Sequence, residues 1–306
     1  MNKKLKCAVV GVGYLGEHHA RIYSELENTE LVAVMDANEA RAKEIADKFS
    51  CKVASSLEEV ASLADVVSVV VPTDRHSEVA LELLDSNCHL LVEKPFCTTL
   101  SEAEALIAKA KEKNLIIQVG HIEHFNPVMD IMEAQFKSPK YIVTDRIAPF
   151  NIRGSEVGVV LDLMIHDIGI VLALANSEVV SVDAVGSRVL SPREDIANAR
   201  IKFANSCVAN LNVSRVSQKR IRQIKVFQDS AYVSLDFMTQ SGHLVKMNEA
   251  GELISQELVI EKDEALKREL SSFADCVINN KKPKVDALLA TKALEVALEI
   301  TRQISL

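Results

Sequence analysis

Val9-Val10-Gly11-Val12-Gly13-Tyr14-Leu15-Gly16 decides how this 306-residue chain is read. The apolar run Leu5–Val10 before it reads as a first strand and the stretch after it as an amphipathic helix, so the Gly-x-Gly-x-x-Gly pattern sits on a strand-to-helix turn. There the first glycine makes the tight turn, the second admits a phosphate, and the third lets helix pack on strand. The chain has ten glycines, and three of them fall within these six positions. Gly11, Gly13 and Gly16 are therefore expected to cradle the pyrophosphate of a dinucleotide, with Tyr14 and Leu15 opening a helix whose amides face it.

Working outward, β-branched runs at Leu31–Met35, Val66–Val71, Leu90–Val92 and Ile116–Gly120 alternate with helical patterns. This predicts a Rossmann-type doubly wound parallel sheet over residues 1–121. Two helix starts carry Ser-x-x-Glu capping boxes, Ser56 to Glu59 and Ser101 to Glu104. The second strand ends at Asp36, twenty residues past Gly16, where a carboxylate accepts from ribose hydroxyls and repels a 2′-phosphate. NAD is the expected cofactor. Arg41 nearby keeps NADP as the alternative.

After residue 121 the alternation stops. Asn126-Pro127 reads as a helix cap followed by proline at the first helical position, and Tyr141–Arg146 as a strand. About six strand-like runs separated by turn pairs fill Val179–Ile260, and two amphipathic helices, Asp263–Asn279 and Asp286–Gln303, finish the chain. Residues 122–306 are thus expected to be an α+β domain for substrate and oligomerisation, with a large, mostly antiparallel open sheet and a last helix that packs back on the first domain.

The longest apolar stretch, Val157–Ala175, contains Asp162, His166 and Asp167, which are costly at bilayer depth, so a buried helix of a water-soluble fold is expected. Residues four apart on an α-helix lie about 40° apart around it, so Asp162 and His166 share a face, while Asp167 stands about 140° from Asp162. Burying ionisable groups there costs several kcal/mol unless they are paired or used. A catalytic pair and a structurally satisfied pair both meet that condition.

Composition narrows the classes. Lys plus Arg number 35 against 43 Asp plus Glu, a formal charge of −8, which argues against nucleic-acid or anionic-membrane partners. Six cysteines are scattered without metal or redox spacing, and the amino terminus lacks a cleavage pattern, so a cytoplasmic protein is expected. His121, Glu123 and His124 invite a metal reading, but two histidines three apart with no third ligand in sight are more often solvent-facing or substrate-facing groups, so no metal is expected. His18 and His19 follow the glycine turn and have no evident role as a base.

Glu93-Lys94-Pro95 stands at the carboxyl end of the fifth strand, where open α/β sheets bind ligands. Together with the glycine turn, Val70-Val71-Pro72-Thr73-Asp74-Arg75-His76, Gly120-His121-Ile122-Glu123-His124-Phe125-Asn126-Pro127 and Asp162-Leu163-Met164-Ile165-His166, it resembles the glucose-fructose oxidoreductase, inositol dehydrogenase and MocA (Gfo/Idh/MocA) family over nearly the whole chain. The resemblance implies cofactor contacts from Pro72, Thr73, His76, Glu93, Lys94 and His121, and a cis peptide before Pro95. It implies substrate contacts from Lys94, His124, Asn126, Arg153, Asp162 and His166.

Hydride loss from an alcohol carbon needs a base for the hydroxyl proton, and histidine suits that task near neutral pH. His166 is the expected base, Lys94 the cation that positions the hydroxyl and stabilises developing alkoxide, and Asp162 the group that orients substrate and His166. The run around His121–Pro127, with Ala148-Pro149-Phe150, is similar to a subgroup that includes UDP-N-acetylglucosamine 3-dehydrogenases, which usually carry arginine where this chain has His124. A nucleotide sugar is the expected substrate, with Arg146 and Arg153 as diphosphate ligands or as ordinary surface arginines. An inositol or free-sugar dehydrogenase is the alternative within the class, and a non-catalytic NAD-binding regulator the alternative outside it. The open sheet face is expected to make a homodimer or homotetramer.

Overall fold

The β-branched runs of the first half form parallel strands β1 (Leu5–Val10), β2 (Thr29–Met35), β3 (Lys52–Val53), β4 (Val66–Val69), β5 (His89–Glu93) and β6 (Ile117–Gly120) in a computed structural model that describes residues 4–152 and 157–304. They lie in the order β3-β2-β1-β4-β5-β6. The chain winds outward from β1 to β3 and then returns to the other side of β1 at β4, which opens the crevice of a doubly wound sheet beyond the ends of β1 and β4. Helices α1 (Tyr14–Glu25), α2 (Glu39–Phe49), α3 (Leu57–Leu63), α4 (His76–Asp85) and α5 (Leu100–Lys113) join the strands. β4 and β6 are buried at every residue, Ser68 and Gln118 included, as strands covered on both faces are. The two-residue β3 is too short to leave a period in the sequence.

The helix starts differ from expectation in detail. Ser56 caps α3 by accepting from Glu59 N at 3.1 Å, but the Glu59 carboxylate accepts from Ser55 N, not Ser56 N. The box of α5 is Thr99 with Glu102, two residues ahead of Ser101 and Glu104. Both registers offer a hydroxyl and a glutamate three apart. The earlier one adds Thr98, whose amide and hydroxyl donate to Glu102 at 3.0 and 2.6 Å. At their other ends α2 and α5 stop on Ser50 and Asn114 with φ of 56° and 55°, positions that glycine usually takes.

Residues 1–122 form one compact unit with Leu266–Thr291. The second segment carries α8 (Ala265–Ile278), whose Leu266, Leu270 and Phe273 enter the same apolar cluster as Cys7, Val9, Val34 and Leu91. Val119 N also donates to Val285 O at 3.0 Å. This grouping differs from a single domain over 122–306 whose last helix returns: it is α8 and the start of α9 (Ala287–Gln303) that belong with the parallel sheet. The amphipathic pattern shows that α8 has an apolar face, but not which core receives it.

The second unit, residues 123–265 and 292–306, contains α6 (Val128–Gln135), α7 (Ile165–Ala175) and eight strands: β7 (Tyr141–Ile147), β8 (Val179–Ser187), β9 (Ile196–Phe203), β10 (Val208–Ser214), β11 (Ile221–Gln228), β12 (Ala231–Asp236), β13 (Ser241–Met247) and β14 (Leu253–Leu258). Their order is β14-β13-β12-β11-β7-β10-β9-β8, antiparallel except where β10 runs parallel to β7. Seven strands, not six, follow α7. β9 alternates strictly, with Ala197, Ala199, Ile201 and Phe203 buried between exposed neighbours, so one face of the sheet makes the core. No helix among the described residues is long and apolar enough to cross a membrane.

Candidate active site

The glycine turn does three separate things. Gly11 has φ +88°, and a Cβ there would lie 2.5 Å from Val70 O, so the turn packs directly on the end of β4. A Cβ at Gly16 would lie 1.9 Å from Gly11 O, so α1 packs directly on the turn. A Cβ at Gly13 would meet no heavy atom within 4 Å, which leaves that side open to a ligand. No side chain caps α1 at Gly13, and α1 begins with Tyr14 and Leu15, so this helix start is the kind that binds anions. A cleft of ≈ 390 Å³ adjoins the turn, lined by Gly11, Gly13, Asp36, Pro72, Leu57 and Arg75. Asp36 ends β2 with Oδ2 accepting from Val12 N at 2.7 Å and Oδ1 from Asn38 N at 2.8 Å, and each oxygen keeps a lone pair for a hydroxyl. Open backbone at Gly13, a helix start without a side-chain cap and a carboxylate just past β2 fit a dinucleotide.

Thr73 begins a short 3₁₀ turn that leads into α4. His76, the first residue of α4, is buried between two carbonyls, with Nε2 2.9 Å from Val71 O and Nδ1 3.0 Å from Pro95 O. It thereby ties the loop after β4 to the loop after β5.

That second loop begins at Glu93, and the Lys94-Pro95 bond is cis. Glu93 is buried. Its Oε1 lies 3.2 Å from His19 Nε2, and its Oε2 accepts from Lys94 N at 3.2 Å. His19 Nδ1 lies 3.1 Å from Ser68 Oγ, which lies 2.9 Å from Tyr23 Oη. A carboxylate accepts, so His19 Nε2 is the donor to Glu93, and the chain runs on through Ser68 to Tyr23. His19, which the sequence left without a role, is the support of Glu93. Gly120 stands opposite Glu93 in the β5–β6 register, and a Cβ there would lie 2.6 Å from Oε1, so only glycine admits the carboxylate.

His121 follows Gly120 and is also buried. Burial, and then the positive charge of Lys94, push its imidazole down to about 4 against the pull of Glu93, so it is neutral at neutral pH. Glu269 of α8 is fully buried, and burial followed by the negative charge of Glu93 holds its carboxyl well above the usual range. The sequence signal for this assembly was Ser68, a hydroxyl inside the apolar run Val66–Val69.

In the second unit the helix bearing Asp162 and His166 is not α-helical throughout. Val160–Met164 is a π turn, and α7 begins only at Ile165. The 40° relation drawn for an ideal helix therefore does not carry over unchanged. Asp162 and His166 are nonetheless both half-buried, whereas Asp167 is buried. Asp167 pairs with Arg146: Nη2 donates to Oδ1 at 2.8 Å and Nε to Oδ2 at 3.0 Å. Arg146 Nη1 donates to Glu123 Oε1 at 2.8 Å. Burial opposes the charge on Arg146, but Asp167 and Glu123 outweigh it and hold the guanidinium above its ordinary range.

Arg146 is therefore neither a surface arginine nor placed to bind a diphosphate, because its side chain is 4% exposed and spent on two carboxylates. Glu123, considered above for a metal, is one of them. Among the described residues no three His, Cys, Asp or Glu side chains are grouped to hold a metal ion. Asn126 Oδ1 accepts from Val128 N at 3.3 Å, and its Nδ2 donates to Phe237 O at 3.0 Å, so its amide fixes the start of α6. His124 is buried in a 3₁₀ turn, and Arg153 lies outside the described residues.

The sequence did not flag Glu194, which receives Val159 N on its carbonyl at 3.1 Å and Val160 N on Oε1 at 3.4 Å and so anchors the π turn. A Cβ at Gly158 would lie 1.8 Å from Glu194 Oε1, so that glycine makes room for the anchor.

Comparison with known proteins follows the same division. Residues 5–121 match the oxidoreductase family with an NAD-binding Rossmann fold, and residues 131–233 match the Gfo/Idh/MocA C-terminal domain. UDP-N-acetylglucosamine 3-dehydrogenase of Acidithiobacillus ferrooxidans is 33% identical over 303 residues, 97% of this chain and 96% of that one. Its solved structure superimposes with a TM-score of 0.94 over 98% of each chain. An NAD-dependent scyllo-inositol 2-dehydrogenase of Bacillus subtilis is 28% identical over 98% of this chain and 94% of that one.

Proposed function

We propose that this chain, which belongs to the Gfo/Idh/MocA oxidoreductase family, is a dehydrogenase that uses NAD to oxidise a secondary hydroxyl of a nucleotide sugar to a ketone, with UDP-N-acetylglucosamine, at its 3-position, as the substrate of choice. The observation that carries the chemistry is the contrast along one helix. Asp167 is consumed in a buried ion pair, while Asp162 and His166 keep access to solvent at its start. Full-length likeness to the Acidithiobacillus enzyme supports the substrate class.

When bound, the nicotinamide accepts the hydride from the carbon. Gly11, Gly13, Gly16 and the first amides of α1 would hold the pyrophosphate, and Asp36 the adenosine ribose. The Asp36 carboxylate supports NAD over NADP, since a 2′-phosphate would meet its charge. His166 takes the hydroxyl proton, Lys94 stabilises the developing alkoxide, and Asp162 orients the hydroxyl and His166. The Glu93 carboxylate, fixed by His19 and Gly120, sets the backbone of Lys94 through the amide it accepts.

On the less buried face of the second sheet Tyr141, Phe227 and Tyr232 form an aromatic row, with ring centroids 6.2 and 5.5 Å apart, which supports a homodimer or homotetramer joined through that face. A monomeric mass in solution would remove that part.

Purified protein with NAD should reduce the cofactor on addition of UDP-N-acetylglucosamine. His166→Ala should lower turnover by about 10²-fold or more with little change in NAD affinity. Reduction with myo-inositol or scyllo-inositol alone would move the substrate to the second reading, which the Bacillus relative supports. NAD binding without reduction by any polyol would leave a regulator.

A further inference from the structure

Val12, in the middle of the glycine turn, is held on both sides. Its N–H goes to Asp36, and its carbonyl accepts from Arg41 Nε at 2.9 Å. Arg41 therefore reaches, from the first turn of α2, the same residue that the ribose-binding carboxylate reaches from the end of β2. Its other two nitrogens are also paired, Nη2 with Glu17 on the first turn of α1 and Nη1 with Glu44 at 2.8 Å. Lys48 holds the other oxygen of Glu17 at 2.7 Å.

Around this corner stand three carboxylates, Asp36, Glu17 and Glu44, and two cations, Arg41 and Lys48, a balance of one negative charge. An arginine beside the adenosine ribose is the side chain best made for a phosphate, because its fork of donors matches the oxygens. Here each nitrogen of the fork already has a partner.

We propose that Glu17 and Glu44 determine cofactor selectivity by immobilising and neutralising Arg41, which would otherwise grip the 2′-phosphate of NADP. The discrimination then has two parts, direct repulsion by Asp36 and removal of the one arginine that reaches Val12. Glu17→Gln with Glu44→Gln leaves Asp36 and the glycine turn intact, frees two faces of the guanidinium, and turns the local balance from one negative to one positive charge.

The proposal rests on dinucleotide binding at this turn, so calorimetric titration with NAD and with NADP is the test, independent of turnover. In the double variant the ratio of the two dissociation constants should move roughly tenfold towards NADP, the worth of one charge-assisted hydrogen bond to phosphate. Adding Arg41→Ala should return it. NAD affinity within about threefold of the unaltered chain confirms an intact fold, since partly exposed ion pairs contribute little to stability. An unchanged ratio in the double variant, or a shift that survives Arg41→Ala, overturns the proposal. An unaltered chain that binds neither nucleotide overturns the cofactor reading beneath it, a result the titration distinguishes at once.

Discussion

Arg146→Met is the most informative single change in the second unit. Arg146 donates at 2.8 to 3.2 Å to both oxygens of Asp167 and at 2.8 Å to Glu123, and the three side chains are 4%, 4% and 7% exposed. Methionine fills a similar volume but leaves two carboxylates in the interior. Removing one partner of a buried ion pair costs about 3–5 kcal/mol, roughly two to four powers of ten in the folding equilibrium. Arg222 Nη1 is 3.5 Å from Glu123 Oε1 and 41% exposed, so it offsets only a small part.

The loss should depend on pH with a defined sign. In the variant both carboxylates hold protons more tightly when folded than when unfolded. Their cost is therefore absent below about pH 4, the unfolded value, and grows as pH rises through the higher folded value. Urea denaturation followed by circular dichroism at several pH values measures this as a difference from the unaltered chain. A loss below about 1 kcal/mol, flat with pH and accompanied by a raised KM for a nucleotide sugar, would refute the buried ion pair and return Arg146 to the diphosphate.

Gly120→Ala pushes a Cβ to 2.6 Å from the Glu93 carboxylate, so turnover should fall along with a stability loss of roughly 1–3 kcal/mol; an unaltered rate would mean that Glu93 does not set the position of Lys94. His121, with its folded value pushed down to about 4, binds fewer protons than the unfolded chain, so stability should fall as pH drops from about 6.5 to 4, by up to about 1.4 kcal/mol per unit. His121→Gln should flatten that slope, and an equal slope in the variant would place its origin elsewhere.

What could be read from the chain depended on the range of the interaction. The glycine turn, Asp36 and the parallel sheet were legible because each is a local pattern of a few residues with one conformational solution. Asp162 and His166 could be named as candidates from their spacing in an apolar run, and Lys94 more from the family resemblance, but the residues around them could not. His19 reaches Glu93 across 74 positions, and Gly120 is needed only because of what stands opposite it. Arg146 could be read only as a diphosphate ligand or a surface arginine because its partners, Glu123 and Asp167, are each more than twenty positions away. Hydroxyl and glutamate spacing gave the right motif for α5 in the wrong register, since a second pair two residues earlier satisfied the same rule and gained Thr98.

The π turn at Val160–Met164 has a consequence for how this protein tolerates change in length. A π turn amounts to one extra residue accommodated within a helix. Removing a single residue there would let the turn relax to an ordinary helix and keep the flanking segments in register, whereas the same deletion in a regular helix would rotate one side by about 100° against the other. Point substitutions within the turn keep the count and hence the register. A one-residue deletion should therefore be absorbed between Gly158 and Ile165 more readily than within α7, and in aligned sequences a gap one position wide here would mark a relative whose helix is regular around Asp162.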